Sequence, residues 1–138
     1  MRSLVILCMA AGMLLGCQSD WDDRVNPYLL EGTWLLTEVL FDPGDGSGEF
    51  RPSDAGYTLL LKSENRFDAN YDVCRGIEEG KLLSGEYSRI GESELLIPCD
   101  GSLVNSVQGR LENGFLLLYY PCDEPCVYRF RKIAELRE

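Results

Sequence analysis

Gly32-Thr33-Trp34-Leu35-Leu36-Thr37-Glu38-Val39-Leu40-Phe41 is the run whose reading decides the fold. It is apolar, and with Thr, Val, Trp and Phe it has the composition of a strand. Seven more strand-like runs follow, each ended by a turn, at a spacing of about ten to twelve residues. No segment sustains a 3.6-residue apolar period, so no long helix is predicted.

The first run is followed by a long loop rich in Gly and Pro, residues 42–54. The later runs cover 56–62, 66–72, 81–90, 94–98, 103–111, 115–120 and 126–133. In the third run Phe67, Ala69 and Tyr71 alternate with Arg66, Asp68, Asn70 and Asp72, the period of a half-buried strand. Asn113-Gly114 is the clearest hairpin signal, because both residues tolerate the positive φ of a tight turn. If consecutive strands run antiparallel, the tight turns Ser63-Glu64-Asn65, Gly91-Glu92-Ser93 and Glu112-Asn113-Gly114 fall at the end where Trp34 sits. The longest loops fall at the other end. One plugged end and one loopy end predict an all-β, eight-stranded up-and-down antiparallel β-barrel.

A Gly-x-Trp at the entry to the first of eight meander strands, with Arg131 or Lys132 near the end of the last, resembles the lipocalin-like domains of bacterial (Bacteroidetes-type) lipoproteins. The resemblance covers about Leu30 to Lys132. It implies that Trp34 plugs the closed end, that Gly32 permits a tight entry, and that Arg131 or Lys132 lies across the indole. The chain departs from true lipocalins in lacking a Thr-Asp-Tyr motif between the sixth and seventh strands and a long helix after the last.

The N-terminal residues read as a leader. Met1-Arg2 is followed by an apolar stretch of signal-peptide length, too short to span a bilayer. It ends in Leu14-Leu15-Gly16-Cys17, which resembles a lipobox. The expected organisation is a lipoprotein signal peptide over 1–16, an acidic tether and lead-in over 17–30, the barrel over 31–133 and a tail over 134–138. Acylation of Cys17, palmitate included, implies a membrane partner through a lipid anchor. It places the protein in the bacterial cell envelope as an outer-membrane lipoprotein. The acidic run Ser19-Asp20-Trp21-Asp22-Asp23 reads either as a surface-export signal or as a solvated tether.

Composition removes several function classes. There is no His, so His-based triads and most zinc enzymes are excluded. Loss of residues 1–16, which hold Arg2 and no acid, leaves 12 basic against 23 acidic residues, a side-chain net charge of −11. Such a surface repels phosphate backbones, which argues against nucleic acid. No nucleophile elbow or phosphate-binding loop is present, so no enzyme and no cofactor is expected. No catalytic or metal-ligating residue is assigned. Asp45-Gly46-Ser47-Gly48-Glu49 has calcium-like oxygen spacing but lacks a full ligand set, and reads as an acidic loop.

Besides Cys8 and Cys17, four cysteines remain: Cys74, Cys99, Cys122 and Cys126. In an exported domain they read as two disulfides, Cys74 with Cys99 and Cys122 with Cys126. A four-Cys zinc site and a redox-active pair are weaker alternatives, because the spacings lack paired short knuckles and a C-x-x-C.

The alternation predicts an interior that includes Trp34, Leu59, Phe67, Tyr71, Tyr87, Phe115, Tyr119 and Tyr128, the candidate ligand-binding residues. They either fill the barrel or line a cavity for a small apolar ligand. Strand 115–120 is apolar on both faces, and its outer face is expected to pack on Tyr28 and Leu29 or else to form a partner surface. The mouth loops carry Asp42, Asp45, Glu49, Asp54, Glu78, Glu79, Asp100, Asp123 and Glu124 against Arg51 and Arg75, a surface that favours cationic ligands or basic partners. Two functions follow: non-catalytic binding of a small apolar or amphipathic ligand, or a protein-interaction or inhibitor module that works through the mouth loops with a filled barrel.

Overall fold

The computed structural model of the protein describes residues 25–101, 105–121 and 126–136. Among them there is no α-helix, and no helix long and apolar enough to cross a membrane. The strands are β1 (Gly32–Phe41), β2 (Glu49–Pro52), β3 (Thr58–Leu61), β4 (Arg66–Asp72), β5 (Ile77–Glu86), β6 (Ser88–Arg89), β7 (Glu94–Pro98), β8 (Ser106–Glu112), β9 (Phe115–Tyr120) and β10 (Cys126–Ala134). They form one sheet in the order β5-β4-β3-β1-β10-β9-β8-β7-β6, with β2 paired beside β1. All pairings are antiparallel. The two ends of this path, β5 and β6, are separated in the chain by Tyr87 alone, so the sheet returns on itself as a nearly closed barrel.

The described residues form ten strands, not the eight expected. Glu49–Pro52 becomes β2 because the loop after β1 folds back onto its C-terminal half, pairing Phe41 with Glu49 and Glu38 with Pro52. The run expected over 81–90 is divided at Tyr87. It also starts earlier, at Ile77, beyond an irregularity in the ladder between Ala69 and Tyr71.

The end at Trp34 is plugged. Trp34 is fully buried, and its indole Nε1–H donates to the Leu30 carbonyl at 2.8 Å. The lead-in crosses beneath the barrel and is held there by Lys132, whose Nζ donates to the carbonyls of Asn26 (2.9 Å) and Leu29 (3.0 Å) and pairs with Glu135 at 3.0 Å. The same ammonium lies 5.6 Å from the centre of the Trp34 ring, a cation over an aromatic face. Of the two basic residues proposed for this position, Lys132 takes it. Gly32 has φ +134°, and a Cβ there would stand 2.4 Å from Lys132 Cε and 2.5 Å from the Ala134 carbonyl oxygen. The glycine is therefore required by both backbone and space.

The core continues along the axis through Leu36, Leu59, Leu61, Phe67, Ala69, Tyr71, Leu95, Ile97, Val107, Leu116, Leu118 and Phe130. Each such large apolar side chain contributes about 1.5–3 kcal/mol when fully withdrawn from water.

Candidate functional site

The residues proposed to line a ligand cavity fall into three groups. Trp34, Leu59, Phe67, Tyr71 and Tyr87 are all inside and between 0% and 7% exposed, packed into a single apolar cluster. Tyr128 is partly buried against this cluster and donates its hydroxyl to the Gly76 carbonyl at 2.9 Å. Phe115 and Tyr119 are not interior residues. The two-residue turn Asn113-Gly114 pairs Glu112 with Phe115 and Leu111 with Leu116. Paired residues share a face, so Leu116, Leu118 and Tyr120 join Leu111 and Gly109 inside, while Phe115, Leu117 and Tyr119 turn outward. The outer face is not covered by the lead-in, since Tyr28 is 70% and Leu29 51% exposed. Arg129 stands over it instead, 3.6 Å above the Phe50 ring of β2 and 5.5 Å from that of Phe115, and pairs with Glu38 at 2.8 Å.

Towards the mouth the interior is tyrosine-rich. The rings of Tyr57 and Tyr71 stack at 4.7 Å, and those of Tyr120 and Tyr128 meet at 4.7 Å with a 52° tilt. The hydroxyls of Tyr71 and Tyr120 are buried without a partner of normal hydrogen-bond geometry, though close enough to influence each other's ionisation. Burial pushes the Tyr71 phenol well above its ordinary range, and the neighbouring Tyr120 adds to this. Tyr120 is likewise raised by burial, and its contact with Tyr71 opposes the shift.

The cysteines behave in part as expected. Cys74 and Cys99 form a disulfide with Cα atoms 5.6 Å apart. Cys126 is also disulfide-bonded. Cys122, its expected partner, and Cys17 lie outside the described residues, as do Asp123 and Glu124. The acidic loop after β1 turns its carboxylates onto its own backbone. Asp42 Oδ1 accepts from the N–H groups of Gly44 (2.9 Å) and Gly46 (3.1 Å), and Asp45 Oδ1 accepts from Ser47 at 2.9 Å. Hydrogen bonds from Ser47 hold the Asp45 carboxyl below its usual range. Among the described residues no group of His, Cys, Asp or Glu is arranged to hold a metal.

Among the described residues an opening lies in the wall of the barrel. The ladder between β6 and β7 pairs Arg89 with Leu95 and Ser88 with Leu96. Continued in the same register, the next hydrogen-bonded pair is Glu86 with Pro98. Proline has no N–H to give, and the ladder stops there. Beyond this point β5 and β7 separate. The Cys74–Cys99 bridge then rejoins the two sides near the mouth. Between these two ties lies a cleft of about 450 Å³. Phe67, Val73, Leu83, Gly85 and the disulfide form its apolar part, and Asp72, Ser84, Glu86, Pro98 and Asp100 complete it. Gly85 is small for a reason: a Cβ there would meet the Phe67 ring at 2.6 Å. Of the proposed ligand-binding residues only Phe67 lines this cleft. Pro98 and Gly85 were the sequence signals for it, but neither marks an opening until the register is known.

Comparison with protein-family models, with curated proteins and with solved structures finds no significant match to this chain.

Proposed function

We propose that this protein is a lipid-anchored, non-catalytic binding module of the bacterial envelope, lipocalin-like in its architecture, that takes a small amphipathic ligand. The anchor is Cys17, and the outer membrane is the compartment that the lipobox-like leader and the oxidised cysteines favour. The observation that carries the ligand reading is the wall cleft. Its volume of about 450 Å³ falls in the range of small-molecule sites, and it joins an apolar floor to a few polar groups, the usual make-up of such sites. A fluorescent apolar probe tests this. Saturable binding that is displaced by small amphiphiles supports the reading, and a probe that finds no saturable site contradicts it.

The packed axis favours a second reading. Trp34, Leu59 and Tyr71 are fully buried and leave little room for a ligand along the barrel. A filled barrel that contacts another protein through its acidic mouth loops accommodates this. Crosslinking in intact cells, with the crosslinker placed at Asp54 or Asp100, separates the two: a single protein adduct supports the partner, and none supports the small ligand.

A further inference from the structure

We propose that the wall cleft between β5 and β7 is a site for a small amphiphile with a cationic head, held by an exposed backbone edge as well as by charge. This rests on the small-ligand reading above and specifies its site and chemical class.

Two strand edges border the opening. Tyr87 N–H donates to the Asn65 carbonyl at 2.8 Å, towards the β4 side, and Ile90 N–H donates to the Glu94 carbonyl at 3.1 Å, towards the β7 side. Main-chain groups alternate direction along a strand. The N–H and C=O of Ser84 and Glu86 therefore point the same way as those of Ser88 and Ile90, into the gap that Pro98 leaves. They supply directed donors and acceptors at the rim of an apolar floor.

The opening is closed below by the Ser88–Leu96 pair and above by the Cys74–Cys99 bridge. A peptide strand cannot thread between two such ties, whereas a compact molecule fits. Phe67, Val73 and Leu83 accept its apolar part. The charged groups that line the cleft among the described residues are Asp72, Glu86 and Asp100, with no Lys or Arg among them. Asp72 is already engaged: it accepts from the N–H groups of Cys74 and Arg75, and the Arg75 side chain approaches it to 3.6 Å. Arg66 stands opposite Glu86 in the ladder and shares its outer face, so Glu86 stands at the outer rim of the cleft with Arg66 beside it. With Asp100 exposed on the other side of the gap, three carboxylates against Arg66 and Arg75 leave the rim net acidic, a field that favours a cation.

The test titrates the isotope-labelled full chain, in zwitterionic nanodiscs with empty discs as blank, with hexylammonium, hexanesulfonate and hexanol. Chemical shifts report the site. The expected result is that the ammonium perturbs the amides of Leu83 to Glu86 and of Asp100 and binds about tenfold more tightly than the sulfonate. Glu86→Lys with Asp100→Lys then weakens it by about tenfold or more, and the neutral pair Glu86→Gln with Asp100→Asn weakens it by less. Both pairs alter exposed side chains, and an otherwise retained spectrum shows that the fold survives. Equal binding of ammonium and sulfonate in the cleft overturns the cationic assignment. Shifts at Tyr57 and Tyr120 that are indifferent to the charge variants overturn the site while leaving the small-ligand reading intact. No binding of any probe overturns both.

Discussion

Removing the Cys74–Cys99 bridge, as Cys74→Ala with Cys99→Ala, tests how the wall opening is held. The two residues are 25 apart in sequence. Closing a loop of that length lowers the entropy of the unfolded chain by an amount worth about 3.5 kcal/mol at room temperature. Cys99 is buried, so its truncation adds a small packing loss, on the order of 1 kcal/mol or less. Against a total stability of about 5–15 kcal/mol, this is a large fraction. With a urea m-value of about 1.5 kcal/mol/M for a domain of this size, the midpoint falls by about 2 M or more. The assay is equilibrium urea unfolding under non-reducing conditions, followed by Trp fluorescence and far-ultraviolet circular dichroism, so that coincident transitions establish two-state behaviour. A loss below about 1 kcal/mol would refute the reasoning. It would mean that the β4–β5 turn and the end of β7 are held together by other contacts, and that the bridge is not what bounds the cleft.

Three other outcomes follow from the same geometry. Gly32→Ala forces a side chain into a φ of +134° and against the Ala134 carbonyl, and is expected to destabilise the protein by about 2–4 kcal/mol in the same unfolding assay. Pro98→Thr restores the N–H that the Glu86 pair lacks; protection of the new amide at position 98 from hydrogen exchange and weaker binding of hexylammonium are expected, and exchange of that amide at the rate of an unprotected one would remove proline as the cause of the opening. Alkali acts through the buried phenols. Tyr71 and Tyr120 have folded-state values raised above the ordinary 10.0, so the folded state holds their protons longer than the unfolded state does. Their contribution to stability is complete below about pH 10 and is lost as the pH rises beyond it. Phenolate absorbance should therefore appear in a late, cooperative step that coincides with unfolding, and smooth titration of every tyrosine while the fold persists would contradict their burial.

The parts of the fold that were legible in the sequence are those set by local pattern. Alternation in Arg66–Asp72 places Phe67, Ala69 and Tyr71 inside, and they are inside. The glycine and tryptophan at the start of β1 mark the plugged end because a positive φ and a large ring leave a visible signature. Strand 115–120 is apolar on both faces, so periodicity gives no parity and leaves Phe115 and Tyr119 on the wrong face. The adjoining Asn113-Gly114 turn does fix it, since a two-residue turn pairs Glu112 with Phe115 and so puts Leu116 on the face of Leu111. The cleft was not legible. Pro98 ends a strand in any reading, and only the pairing of Ser88 with Leu96 shows that its missing N–H falls where the barrel would otherwise close. Register between distant strands depends on the whole sheet, not on the residues nearby. The same applies to β2, whose four residues become a strand only because β1 extends past β3 and offers them an edge.

The central claim is that a small amphipathic molecule occupies this barrel wall. Native mass spectrometry on the full-length protein, purified from its own membranes and measured before and after denaturation, tests it most directly. A covalent anchor stays with the chain in both spectra. The expected result is an additional non-covalent mass of a few hundred daltons, the size that a cleft of about 450 Å³ admits, lost on unfolding and carrying an amine. A native spectrum with no such mass, and with the cysteines oxidised, would contradict the account and leave a filled barrel whose loops act on another protein.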